Sequence, residues 1–174
     1  MTKTIKVIVA ILLLSLMAPA YGADWVKPDA KATPGVLNPA VTQANIADTV
    51  CKSGWTDTIR PPVSYTNKLK ATQLATTYKS FVAVYGTDLA GYEEDHLISL
   101  QLGGDPKDPK NLWPQPYAGI NARKKDVIET KLKRMICAKT ITLKDAQKAI
   151  SKDWVAAYNK YVVAADTKVV ELNG

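Results

Sequence analysis

The apolar positions of this chain fall into stretches of different period, and each predicts a different element. Val41, Ile46 and Val50 lie on or near one helical face, which predicts a short helix from Thr42 to Val50 with Cys51 at its end. Lys68 to Tyr78 reads as a second helix. Leu69 and Leu74 face inward there, and Thr66 or Asn67 caps it. Val82 to Tyr85 has the residue types of a short strand, which Gly86 ends. A further strand begins at Tyr92 and runs through Leu97, Ile98 and Leu100 to about Leu102. Gly103-Gly104-Asp105-Pro106 then makes a turn, prolonged by Lys107 to Lys110. Asn111-Leu112-Trp113-Pro114 forms the return strand. Beyond an irregular link, an apolar stripe of Ile120, Val127, Ile128, Leu132, Met135 and Ile136 predicts a helix from Asn121 to about Cys137. Thr142 and Asp145 have the spacing of a capping box, with Asp in place of Glu. They open a last helix from Leu143 to about Lys160, packed on its predecessor as a helical hairpin. The expected fold class is α+β: a hairpin plus helix set in a single, mainly helical domain.

The ends of the chain change this picture. Lys3 and Lys6 precede an apolar run from Val7 to Met17, and small residues follow at Ala18, Ala20, Gly22 and Ala23. That order is a secretory signal peptide, assigned to residues 1–23. The run is well short of the roughly 20 residues that a membrane span needs. Residues 24–40, with Pro28, Pro34, Gly35 and Pro39, are expected to be an extended, mobile leader. The domain proper covers 41–162, and 163–174 is a tail. Export to the periplasm or the medium places Cys51 and Cys137, the two cysteines, in an oxidising compartment where a disulfide is the default. Removing Lys3 and Lys6 lowers the net charge from +7 to +5. That charge suits nucleic acid or another polyanion, without singling one out. No membrane span is expected in the mature protein, and a monomer is expected.

Candidate chemistry concentrates in Glu93-Glu94-Asp95-His96, which contains the one histidine of the chain. Adjacent strand residues point to opposite sides, so Asp95 and His96 do not both reach one ion unless the strand bends. His96 titrates near neutrality and can take a proton from water. Asp95 offers a hard anionic oxygen. Glu93 and Glu94 are read as hydrogen-bonding groups behind the site rather than as ligands. Arg123 and Lys124 stand within a turn of Asn121 and are candidates for phosphate contacts, as is Arg60 in its extended Arg-Pro-Pro setting. The plainer reading of Arg60 is a solvated side chain or a structural ion pair. Lys125, Lys131, Lys133 and Arg134 are expected on a solvated face. Trp113 is read as core in preference to a stacking platform.

Taken in order, Asp95-His96-Leu97-Ile98-Ser99-Leu100, Gly103-Gly104, Asn111-Leu112 and Asn121 resemble the motif of HNH-type nucleases with the ββα-metal fold. The resemblance spans roughly Tyr92 to Lys133, about a quarter of the chain, and the ββα core it implies covers about 92–137. The chain also resembles a broader set of small secreted bacterial proteins that carry Glu-Glu-Asp-His and Asn-Leu-Trp-Pro. The nuclease resemblance implies a ββα-metal core, with Asp95 and Asn121 as protein ligands of one divalent metal and His96 off the metal as general base. It further implies that Asn111 braces the loop by bonding across to the first strand. Two oxygen ligands favour Mg²⁺, with Mn²⁺ also suited and Zn²⁺ less so. The implied activity is an endonuclease that hydrolyses DNA, or RNA, with little sequence preference. Two other functions fit the residues: a nonenzymatic binder of nucleic acid or another polyanion, and a hydrolase of a different envelope polymer.

Overall fold

The computed structural model describes residues 26–119 and 122–165. The expected signal peptide and Asn121 lie outside the described residues. The fold is α+β and mostly helical, with one small antiparallel hairpin embedded among helices. Helices α1 (Trp55–Ile59), α2 (Val63–Ala75) and α3 (Lys79–Tyr85) precede the hairpin, and α4 (Ala122–Cys137) and α5 (Leu143–Tyr158) follow it. Strands β1 (Tyr92–His96) and β2 (Leu112–Pro116) pair with Asp95 opposite Trp113 and His96 opposite Leu112. Among the described helices none is long and apolar enough to cross a membrane.

Two apolar clusters flank the hairpin. Leu74, Tyr78, Tyr92, Leu97 and Trp113 make the first, with Phe81, Val82 and Tyr85 packed against it. Trp113 is fully buried there, in contact with the rings of Tyr78 and Phe81. The second is built on Ile128, Leu132 and Ile136 of α4 and Ala146, Ile150 and Trp154 of α5, with Val41, Ile46 and Val50 across from them. The chain leaving β1 passes between them, since Leu97 belongs to the first cluster and Ile98 to the second. Cys51 and Cys137 are disulfide-bonded, with Cα atoms 5.7 Å apart across an 86-residue separation. The bridge ties the end of α4 to the chain beside Val50.

Several elements differ from the sequence-based expectation. Residues 42–50 form a 3-10 turn at Gln43–Asn45 and further turns, not a regular helix. Asn45 is the cause: its side chain accepts from Thr42 N–H at 2.8 Å and donates to Ala40 O at 2.9 Å, closing the chain locally. Helix α2 starts at Val63, ahead of the expected Lys68, because Pro62 holds φ at −64° and supplies a ready N-terminus. Val82 to Tyr85 is helical, within α3, not a strand. Its aromatic and apolar residues follow the helical period that sets Phe81, Val82 and Tyr85 against the first cluster. Gly86, at φ 88°, ends it. Strand β1 stops at His96, and Leu100–Leu102 is a 3-10 turn. The continuous run of apolar residues after His96 is buried on more than one side and does not alternate.

The proline-rich segment is extended but packed. Gly35 N–H donates to Lys110 O, Asn38 N–H to Gly103 O, and Asp105 N–H to Val36 O, at 2.8–3.0 Å. Thr33 is buried, and Trp154 Nε1 donates to Val26 O at 3.1 Å. The partners of this segment are distant in sequence, so local composition carries no sign of them. Helix α5 opens on Thr142, whose Oγ1 accepts from Asp145 N–H at 3.0 Å and donates to Asp145 Oδ2 at 2.6 Å. It kinks at Asp153, where the carboxylate accepts the amides of Val155 and Ala156 and so caps the second half.

Candidate functional site

Gly103 and Gly104 turn the chain after β1 and bring Asn111 back beneath it. Gly103 has φ 76°, and a Cβ on Gly104 would stand 1.7 Å from Ile98 O. Only glycine admits that approach. The Asn111 side chain fills the space under the turn and is fully buried. Its amide donates to Ile98 O at 3.0 Å and Asp105 O at 2.8 Å, and its oxygen accepts from Ile98 N–H at 3.0 Å. Asn111 thus joins the end of β1 to the loop that leads into β2. The loop in turn places Pro106 O at 3.0 Å from His96 Nε2.

A carbonyl only accepts, so His96 Nε2 carries a proton and donates to Pro106 O. In the neutral imidazole the lone pair is then on Nδ1. Burial holds His96 below its ordinary value near 6.5, with Lys125 and Arg60 acting in the same direction and Asp95 and the Pro106 bond against it. The ring is therefore neutral at pH 7. His96 and Asp95 line one cleft of about 220 Å³, together with Glu93 and Glu94 of β1, Thr56 and Arg60, the Ser99–Gln101 turn, and Asp126, Glu129 and Lys133 of α4.

The Asp95 carboxylate is fixed from behind. Its Oδ2 receives Lys125 Nζ at 2.7 Å. It also receives the Gln115 amide at 3.0 Å in the orientation that lets the Gln115 oxygen accept from Ala122 N–H at 3.1 Å. Lys125 is not on a solvated face: its side chain is 1% exposed. The ammonium donates to Asp95, to His96 O at 2.7 Å, and to Glu129 Oε1. Gln101 Nε2 holds the other Glu129 oxygen at 3.3 Å. Burial alone would depress Lys125, but Asp95 and Glu129 outweigh it and hold the amine above its ordinary value. Burial pushes Glu129 up to about 7, with Lys125 opposing.

The other carboxylates of the cleft crowd one another. Burial and the charges of Asp95 and Asp126 raise Glu93, and a hydrogen bond from Tyr117 opposes. Burial and Asp95 raise Asp126. Burial, then Asp95, push Glu94 up to about 8 against the pull of Lys70. Among the described residues neither Glu94 oxygen has a hydrogen-bond partner. The Lys70 ammonium donates to Tyr92 O at 2.8 Å.

Of the three cations singled out in the sequence for phosphate, Arg60 lines this cleft. Arg123 is exposed, lies over the Tyr117 ring and is 3.8 Å from Asp126, and Lys124 lies over the Tyr158 ring. The sequence reading missed Lys125, Asp126, Glu129, Gln115 and Lys133. Two of them carried a signal: Lys125 and Glu129 are four residues apart and fall on the buried stripe that continues through Ile128, Leu132 and Ile136. Asn121, the expected second metal ligand, lies outside the described residues. Among the described residues no group of three or more His, Cys, Asp and Glu is arranged to hold a metal ion. Neither a scan against protein-family models nor searches of curated proteins and of solved structures give a match for this chain.

Proposed function

We propose that the protein is an exported, metal-dependent endonuclease that hydrolyses phosphodiester bonds in DNA or RNA with little sequence preference, on a ββα-metal core made by β1, β2 and α4. The observation that carries this reading is the meeting of a neutral histidine, held through Nε2 by Pro106 O, and a braced aspartate in one cleft. Placing proton acceptor and hard oxygen side by side is what attack of water on a phosphate diester requires. The disulfide accords with an oxidising compartment.

The donor chemistry fits one hard divalent ion. Glu93, Glu94 and Asp126 are all raised partly by the charge of Asp95, so the cleft resists further negative charge, and a cation would let these carboxyls ionise. Asp95, with Asn121 as the second expected ligand, would hold Mg²⁺ or Mn²⁺ alongside water; no thiol or set of imidazoles is present for a closed zinc site. When bound, the ion supplies electrostatic stabilisation of the charge that grows on the scissile phosphate. The chain's own residues serve the attack. His96 Nδ1 takes the proton of the attacking water, and the Pro106 carbonyl fixes the tautomer and the ring. As the water oxygen bonds to phosphorus, the bond from phosphorus to the 3′ oxygen breaks, and that oxygen takes its proton from solvent. Asn111 holds the loop that carries Pro106. Arg60, at the rim, neutralises a phosphate oxygen.

The acidity of the cleft also favours this reading over a nonenzymatic polyanion binder. Carboxylates at the centre of a groove repel phosphate unless a cation stands between. The deciding experiment is nicking of supercoiled plasmid by the oxidised protein, with Mg²⁺ or Mn²⁺ and with chelator. Cut product that depends on the metal is expected. Retention of DNA without cleavage under every metal condition would instead identify the binder.

A further inference from the structure

We propose that Lys125 is a positioning residue: from inside the fold, its ammonium sets both the aspartate and the histidine of the cleft. An ammonium has three N–H bonds, and here three acceptors take them: Asp95 Oδ2, the His96 carbonyl and Glu129 Oε1. One bond orients the side chain of Asp95. Another holds the backbone of the next residue, from which the imidazole projects. Glu129, on the turn of α4 after Lys125, fixes the lysine in place and balances its charge. Both Lys125 and Gln115 take Oδ2 of Asp95 and neither uses Oδ1, so these two partners hold the carboxylate by one oxygen.

A buried lysine with two carboxylates is a costly arrangement, because apolar side chains of similar volume often stabilise a fold as well or better. Position 125 lies on the apolar stripe of α4, where Ile128 and Leu132 show what packing alone favours. What the lysine adds over an apolar residue is direction. It couples the rigid helix to the two residues on which the chemistry of the cleft depends, as a hydrogen-bonded group behind a metal ligand does.

This inference rests on the proposed metal-dependent hydrolysis, and the test keeps the two apart. Lys125→Met alone strands two carboxylates and is expected to cost folding. The informative variant is Lys125→Met/Glu129→Leu, which removes the pair together and leaves Asp95 with the Gln115 amide as its remaining donor. Circular dichroism and urea unfolding establish that it is folded. Titration calorimetry with Mn²⁺ on metal-free protein and single-turnover plasmid nicking are then compared with the parent. The expected result is Mn²⁺ affinity weakened about tenfold or more, a cleavage rate at saturating Mn²⁺ lowered roughly 10- to 100-fold, and KM for DNA unchanged. A folded double variant with parental Mn²⁺ affinity overturns the proposal, whatever its rate. So does a loss confined to KM, which would mark Lys125 as a substrate contact. If the parent binds Mn²⁺ but cuts no DNA, the nuclease reading fails, and the difference in Mn²⁺ affinity still decides the role of Lys125. A parent that binds no Mn²⁺ overturns both.

Discussion

His96 and Asp95 are neighbours in the chain, yet their substitution should separate cleanly. His96 is tied to Pro106 O and reaches no carboxylate in the network that holds Asp95. His96→Ala should therefore reduce single-turnover cleavage by roughly 10²–10⁴-fold, the usual scale for a lost general base, with Mn²⁺ affinity kept within a few-fold. Asp95→Ala should lose most of the Mn²⁺ affinity itself. If His96→Ala cuts as fast as the parent, another group is the base; if Asp95→Ala binds Mn²⁺ normally, the ion is held elsewhere. The pair stood out in the sequence because it joins the one histidine of the chain to an adjacent aspartate. Lys125 did not, because charge was read as exposure. The spacing said otherwise: Ala122, Lys125, Ile128 and Glu129, Leu132 and Ile136 recur at helical period and are all buried. A charged residue on an apolar stripe marks a buried partner of opposite sign, and here the partner lies four residues on.

At the scale of elements, the turn between the strands is the most constrained part of the molecule. A methyl group on Gly104 would overlap the Ile98 carbonyl and stand 2.8 Å from Asn111 Nδ2. Neither neighbour has room to retreat, since the same carbonyl and amide bond each other. Gly104→Ala is expected to destabilise the fold by more than about 3 kcal/mol, the range reserved for severe steric or backbone conflict. Asn111→Ala should cost a comparable amount, because Ile98 N–H and Ile98 O would be left buried without their partner, at about 1–3 kcal/mol each before relaxation, and the half-buried Asp105 O would lose its donor. Urea unfolding of the two variants tests this, and an exposed-site control such as Val84→Ala should change little. The hairpin and the last two helices were readable from period and capping residues. Helix α3 was not: Phe81-Val82-Ala83-Val84-Tyr85 has strand-forming residue types, and the packing of Phe81, Val82 and Tyr85 beside Trp113 overrides that preference. The docking of residues 33–38 on the turn was equally hidden, because its hydrogen bonds go to Gly103, Asp105 and Lys110, some seventy residues away.

For the whole molecule, two features set stability. The disulfide joins chain positions 86 residues apart, so reduction should lower the unfolding free energy by roughly 2–4 kcal/mol and shift the urea midpoint accordingly. The acidic cleft sets the dependence on pH. In metal-free protein Glu94 is held at about 8, against an ordinary value of 4.5. A carboxyl raised by folding contributes stability that is full below its unfolded value and is lost as pH rises through its folded value. His96 works the other way. Its folded value is depressed, so the unfolded chain binds the extra proton and stability grows with pH up to about 6.5. Above that the histidine is neutral in both states, and the carboxyls act alone. The urea midpoint in chelator should therefore fall between pH 6.5 and 8.5. Glu94→Gln, which cannot ionise, should remove part of that fall, and saturating Mg²⁺ should flatten it in the parent by supplying the missing positive charge. A parental midpoint that rises across this window would refute the assignment of charge strain to the cleft. So would a Glu94→Gln variant that keeps the parental slope, since Glu94 is the group whose oxygens find no partner in the fold.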